Sequence, residues 1–289
     1  MSEFAPRKYQ KPLSFFVGWL IVLAWQSGMV GIAFVVTQQI EAIIVLSNPD
    51  YTIKGWHGAL LTIATALFCI FFNTILVRRL PLTEGFAVAL HTLGFFTFLI
   101  VLWVMGPRAN ARSVFTDFED NNGWGSRGLA TLIGLLSPIN TLGGADAVCH
   151  LSEELRDASR SLPRCMITNA SINYVLGFIM TITLMFTIGN NVEDVFSTPT
   201  GQPYVQVLLN ATESRGATIV LTAVMALLLL FCAVNQVTTS SRQLFAFARD
   251  NGLPYSDFLS YVGVLSSNIL HTANAQLRSD LAGTSPSTP

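Results

Sequence analysis

Residues 139–154, INTLGGADAVCHLSEE, bring Asn140, Thr141, Asp146, Cys149, His150, Glu153 and Glu154 together at the end of an apolar run that begins near Leu129. Ser137-Pro138 and Gly143-Gly144 bracket Ile139–Leu142. The proline removes a backbone donor and the glycines remove rigidity, so the spacing predicts an interrupted helix. Backbone groups freed inside a bilayer are tolerated only where protein or a water-filled cavity satisfies them. There they become binding groups for a small solute, with half-helix N-termini facing anionic groups and free carbonyls facing cations. The chemistry expected is binding rather than bond making. A proline kink that serves packing alone is the other reading of the same residues.

Around this stretch lie groups that suit gating or coupling. Asp146 follows the paired glycines by two residues, and a carboxylate at membrane depth is costly unless paired or hydrated; capping a second half-helix is its alternative role. Glu153, Glu154 and Arg156, with Asp157, Arg160 and Arg164, have the i,i+3 and i,i+4 spacing of ion pairs, which fits a gate or a loop-ordering network. His91 lies seven residues after Glu84 in an apolar segment, where it either carries a proton or is held as a hydrogen-bonded structural histidine. Gln26 and Asn235 are polar groups at membrane depth that either line a path or join helices.

The chain carries no G-x-S-x-G, P-loop, dinucleotide fingerprint or H-E-x-x-H, so no enzyme and no cofactor is expected, and the lack of an ATP-binding module argues against a pump. Cys69, Cys149, Cys165 and Cys232 form no close pair and no metal-ligand spacing, and read as packing residues.

The elements that must position these groups are long and apolar. Of 289 residues, 51% are hydrophobic and only 11% charged, the composition of a polytopic membrane protein; a net charge of −1 gives no nucleic-acid signal. Crossing the hydrocarbon core takes about 20 apolar residues. Six stretches approach that length, at about 15–45, 58–78, 85–106, 129–150, 166–189 and 217–238, the fourth broken near 138–144. The fold expected is therefore all-α, with about six transmembrane helices. Residues 1–14 read as a cytoplasmic segment, 15–254 as the membrane region and 255–289 as a polar, disordered tail. The apolar run after Met1–Lys11 is too long for a signal peptide and is expected to remain a membrane helix. Lys and Arg number ten on the N-terminal side of the stretches against five on the other, which places the N-terminus in the cytoplasm. The sequon Asn210-Ala211-Thr212 then lies outside, whereas Asn169-Ala170-Ser171 falls within the fifth stretch.

Five longer motifs occur in order: LPLTEGFAVALHTLGFF (80–96), VFTDFEDNNGWGS (114–126), GADAVCHLSEELRDASRSLPRCM (144–166), TGQPYVQVLLNAT (200–212) and SRQLFAFARDNGLP (241–254). With them the chain resembles, over about residues 14–262, the fungal amino acid/choline/GABA permeases of the amino acid–polyamine–organocation superfamily, nearest the choline-permease-like branch. The resemblance implies a LeuT-type inverted-repeat fold of twelve helices, of which this chain matches the third to the eighth. It makes the broken stretch the family's discontinuous sixth helix, giving Ile139, Asn140, Thr141, Leu142, Gly143 and Gly144 a substrate-binding role, and it sets His91 near a fifth-helix position where some relatives keep a cation. It implies a proton-coupled secondary transporter of amino acids, GABA or choline in the plasma membrane, with small solute, protons and lipid as partners and no nucleic acid. Nothing like the family's first and second helices precedes Phe15, and the ninth is not seen after about Val262, so a truncated fragment is expected. The alternative is a non-transporting membrane sensor or a truncated subunit that joins full-length permeases.

Overall fold

The computed structural model describes residues 4–76, 79–116, 123–141, 143–144, 146–149, 157–189 and 192–260. Regular structure among them is wholly helical. In order the helices are α1 (Gln10–Ser47), α2 (Gly55–Ile75), α3 (Leu80–Met105), α4 (Ala111–Thr116), α5 (Arg127–Gly134), α6 (Leu136–Thr141), α7 (Ala158–Thr187), α8 (Val192–Phe196), α9 (Pro203–Thr212) and α10 (Arg215–Arg249).

Five of these, α1, α2, α3, α7 and α10, are long and apolar enough to cross a membrane. This is an all-α, polytopic integral membrane protein. Of the remaining predicted span, 129–150, the part up to Thr141 is divided between the short helices α5 and α6. With 38 residues, α1 runs to about 57 Å, well beyond a hydrocarbon core of roughly 30 Å. The large apolar side chains left exposed, such as Leu67, Val88, Leu93 and Phe178, are those expected to meet lipid rather than water.

The chain divides into two compact units. The first holds the described residues of 4–33, 64–84 and 231–260, and its helices are joined by amide side chains. Gln26 Nε2 donates to the Ser240 carbonyl at 3.3 Å, and Gln236 Nε2 to the Trp25 carbonyl at 3.4 Å. Asn73 Nδ2 donates to the carbonyls of Cys69 and Val234, both at 2.9 Å, while its Oδ1 accepts from the Thr238 hydroxyl. Such amide-to-backbone bonds hold helices together where the hydrophobic effect supplies no drive between them. At the end of α10, Asn251 adopts φ 57° and donates to Ala248, and Gly252 donates to Phe247, both at 2.9 Å. These two bonds are a Schellman cap. The Phe247 ring lies directly against Gly18 and Gly252 and packs edge-on to Trp19. A helical turn over 256–260 follows, and the rest of the predicted tail, 261–289, lies outside the described residues.

The second unit holds the described residues of 34–63 and 85–230. Its core joins Phe98 and Leu102 of α3, Val195 of α8, Val207, Leu208 and Ala211 of α9 and Leu221 of α10, with Met180 and Leu184 of α7 packed against them. Ala42 and Leu46 of α1 pack with Val205 of α9 in a second cluster. Trp103 Nε1 donates to Thr183 Oγ1 at 3.0 Å, fixing α3 to α7. Pro203 opens α9, where its missing N–H costs nothing, and Glu213 closes it in the left-handed region.

Candidate functional site

The apolar run that ends in paired glycines starts as an ordinary capped helix. Ser126 accepts from Leu129 N at 3.4 Å and opens α5. Leu135 interrupts the run as a turn, and α6 continues to Thr141. Pro138 therefore stands in the first turn of α6, where a residue without N–H is tolerated, and the chain remains helical through it. The regular helix ends instead at the glycines: Gly143 and Gly144 form a turn and Gly144 takes φ +89°. L-residues rarely adopt that φ, and a Cβ on Gly144 would meet no atom within 4 Å, so the turn borders open space. Beyond it the Ala147 N–H returns to the Gly144 carbonyl at 3.0 Å, starting a short helical turn over 146–149. The helix end leaves carbonyls of α6 without intrahelical donors, the groups that receive cations or solute donors at a helix break.

Of the six residues expected to bind substrate, Ile139 is exposed, Asn140 and Thr141 end α6, and Gly143 and Gly144 form the exposed turn; Leu142 and the side chains of Asn140 and Thr141 lie outside the described residues. Asp146 is exposed in the turn that follows. Glu153, Glu154 and Arg156 lie outside the described residues. His91 is exposed on α3. Gln26 spends its amide on the Ser240 carbonyl and so joins helices, whereas Asn235 is half-buried on α10.

Sequence reasoning passed over three polar features of the second unit. Gln39 of α1 donates to Gln202 Oε1 at 3.3 Å and accepts from the Tyr204 hydroxyl. Burial pushes the Tyr204 phenol above its ordinary value, so it stays a donor. Glu41, one turn beyond Thr37 on α1, is only 6% exposed, and its Oε1 has no hydrogen-bond partner among the described residues. That oxygen lies 3.2 Å from where a Gly58 Cβ would stand, so Gly58 leaves room for the carboxyl. Asn169 and Asn173 of α7 form the third feature. The signals were present as a lone carboxylate inside the long apolar run of α1 and two asparagines at i,i+4 inside that of α7.

A family model described as amino acid permease matches residues 2–272. A protein of Macrophomina phaseolina named for amino acid/polyamine transport is 31% identical over 94% of this chain and 61% of its own length. The choline transporter of Saccharomyces cerevisiae is 26% identical over 90% of this chain and 46% of its own length. The GABA-specific permease of the same yeast is 27% identical, again over 90% of this chain and 46% of its own length. The chain thus spans about half the length of the yeast relatives and 61% of the Macrophomina protein. No solved structure matches.

Proposed function

Because the chain belongs to the amino acid permease family, whose named relatives are permeases rather than enzymes, we propose that it works as part of a secondary active transporter that carries an amino acid, GABA or choline across the plasma membrane with protons. One observation carries the reading. An apolar helical run stops at Thr141, and the glycine turn after it, with Gly144 at φ +89°, borders open space. On this reading Ile139, Asn140, Thr141, Leu142, Gly143 and Gly144 present backbone groups to the substrate. His91, Asp146, Glu153, Glu154 and Arg156 serve coupling or gating, Asn235 lines the path, and the N-terminus is cytoplasmic. The yeast relatives' names supply the two leading substrates.

The test is uptake of labelled choline, GABA and a panel of amino acids by yeast that lacks its own carriers and expresses this chain. Saturable uptake that collapses with the proton gradient is the expected result. Saturable binding without flux in a membrane-inserted chain would replace transport with a sensor or an associating subunit.

A further inference from the structure

We infer that Asn169 and Asn173 of α7 line a water-filled solute path, an assignment that rests on the transport reading above and extends its site to a second helix.

The inference starts from the register of α7. Residues 169, 173, 176, 180, 184 and 187 recur at spacings of four and three and so share one face of the helix. In the C-terminal half this face is packed: Met180 and Leu184 lie against the Phe98–Leu102 core, and Thr187 is buried. In the N-terminal half the same face carries Asn169 and Asn173, and both are exposed. Towards the opposite face Ile167, Val175, Phe178 and Met185 are large, apolar and exposed as a lipid-facing surface would be, with the small Ser171 among them. The asparagines therefore stand on the side of α7 that turns into the unit, not on the side left for lipid.

Each amide offers two N–H donors and an oxygen able to accept twice. One bond joins them, Asn173 Nδ2 to Asn169 Oδ1 at 3.0 Å. Thr181, one helical turn beyond Gly177, closes its hydroxyl on the Gly177 carbonyl at 2.8 Å and needs nothing more. The asparagines have no such local bond to the backbone of their own helix, and the rest of their donors and acceptors find no partner among the described residues. Polar groups at membrane depth without protein partners are tolerated where they meet water in a cavity. Asn173 lies about a third of the way along the apolar stretch 166–189, and so at membrane depth. Neutral amides that both donate and accept suit water and the hydroxyl, carboxylate or ammonium groups of a small polar solute.

The test places single cysteines in the full chain: Asn173→Cys on the proposed path and Phe178→Cys on the lipid face. Membranes opened to both sides are treated with a membrane-impermeant methanethiosulfonate reagent, and each cysteine peptide is read by mass spectrometry, so the native cysteines stay in place. Only a thiol that meets water ionises and reacts. Asn173→Cys is expected to react at least an order of magnitude faster than Phe178→Cys. Equal rates overturn the inference: slow at both means that lipid or another helix covers the asparagines, and fast at both means that α7 has no lipid-facing side. Asn169→Cys provides the same comparison should the first variant fail to accumulate. Fast labelling of Asn173→Cys in a chain without uptake keeps the water path and removes the transport reading, whereas uptake with an unlabelled Asn173→Cys does the reverse.

Discussion

Tyr204 of α9 donates its phenolic hydrogen to Oε1 of Gln39 in α1, and Gln39 passes an amide hydrogen on to Gln202 beside Tyr204. The pair lies next to the contact of Ala42 and Leu46 with Val205, so a polar and an apolar contact fix α9 on α1 together.

Removing the hydroxyl in Tyr204→Phe is expected to cost about 1–2 kcal/mol of stability, since it leaves Gln39 Oε1 short of a donor. The same variant should alter the alkaline limb. Burial raises the folded-state pKa of Tyr204, so its contribution to stability is complete below the unfolded value near pH 10 and is lost as the pH rises above it. Thermal unfolding of the purified chain between about pH 8 and 11 checks this: the decline above pH 10 should be shallower in Tyr204→Phe. An unchanged slope would mean that another group sets it.

Glu41 and Gly58 give the second expectation. An oxygen buried without a donor costs about 1–3 kcal/mol, so an apolar side chain of similar size should hold this place at no loss. Glu41→Met is expected to melt at or above the temperature of the wild type. Gly58→Leu should melt lower, because its Cβ alone comes within 3.2 Å of the carboxyl oxygen. A marked loss in Glu41→Met would show that the carboxyl has a stabilising partner.

A third expectation concerns Phe247 and the two glycines beneath its ring. Gly252→Ala places a methyl inside the ring's van der Waals surface, and the ring is held by Trp19 and Phe15. The expected cost is about 1–3 kcal/mol. Combining Gly252→Ala with Phe247→Ala should recover part of it, and the coupling read from a double-mutant cycle of unfolding temperatures measures the contact. Strict additivity of the two changes would remove the steric account.

At the helix end, Asn140→Leu and Gly144→Leu, made in a full-length version, are expected to abolish uptake while the protein still reaches the membrane. Gly144→Leu should also cost about 1–2 kcal/mol, because a side chain at φ +89° is strained even in open space. Unchanged uptake kinetics in a variant with normal surface expression would take substrate binding away from these residues.

The sequence by itself determined the class of this protein. Apolar runs of about 20 residues have few folds open to them in a bilayer, because every backbone group must be satisfied inside the segment. Composition alone therefore announced the long helices α1, α2, α3, α7 and α10. It also announced a disturbance near the paired glycines, because a glycine at φ +89° is a local property that needs no tertiary contact. Which polar groups are spent and which remain free was decided only by the tertiary structure. Gln26 and Asn235 read alike as letters, yet Gln26 bonds to the Ser240 carbonyl while Asn235 makes no such bond among the described residues. Pro138 reads as a break, yet it falls in the first turn of α6, where its missing donor is harmless. Gln39, Glu41, Asn169 and Asn173 were each visible as polar residues in apolar runs, but their meaning depends on what stands opposite. Periodicity fixes which face of a helix a residue occupies, whereas a hydrogen bond is fixed by distance to a group far away in the chain, and that distance exists only after the helices have packed.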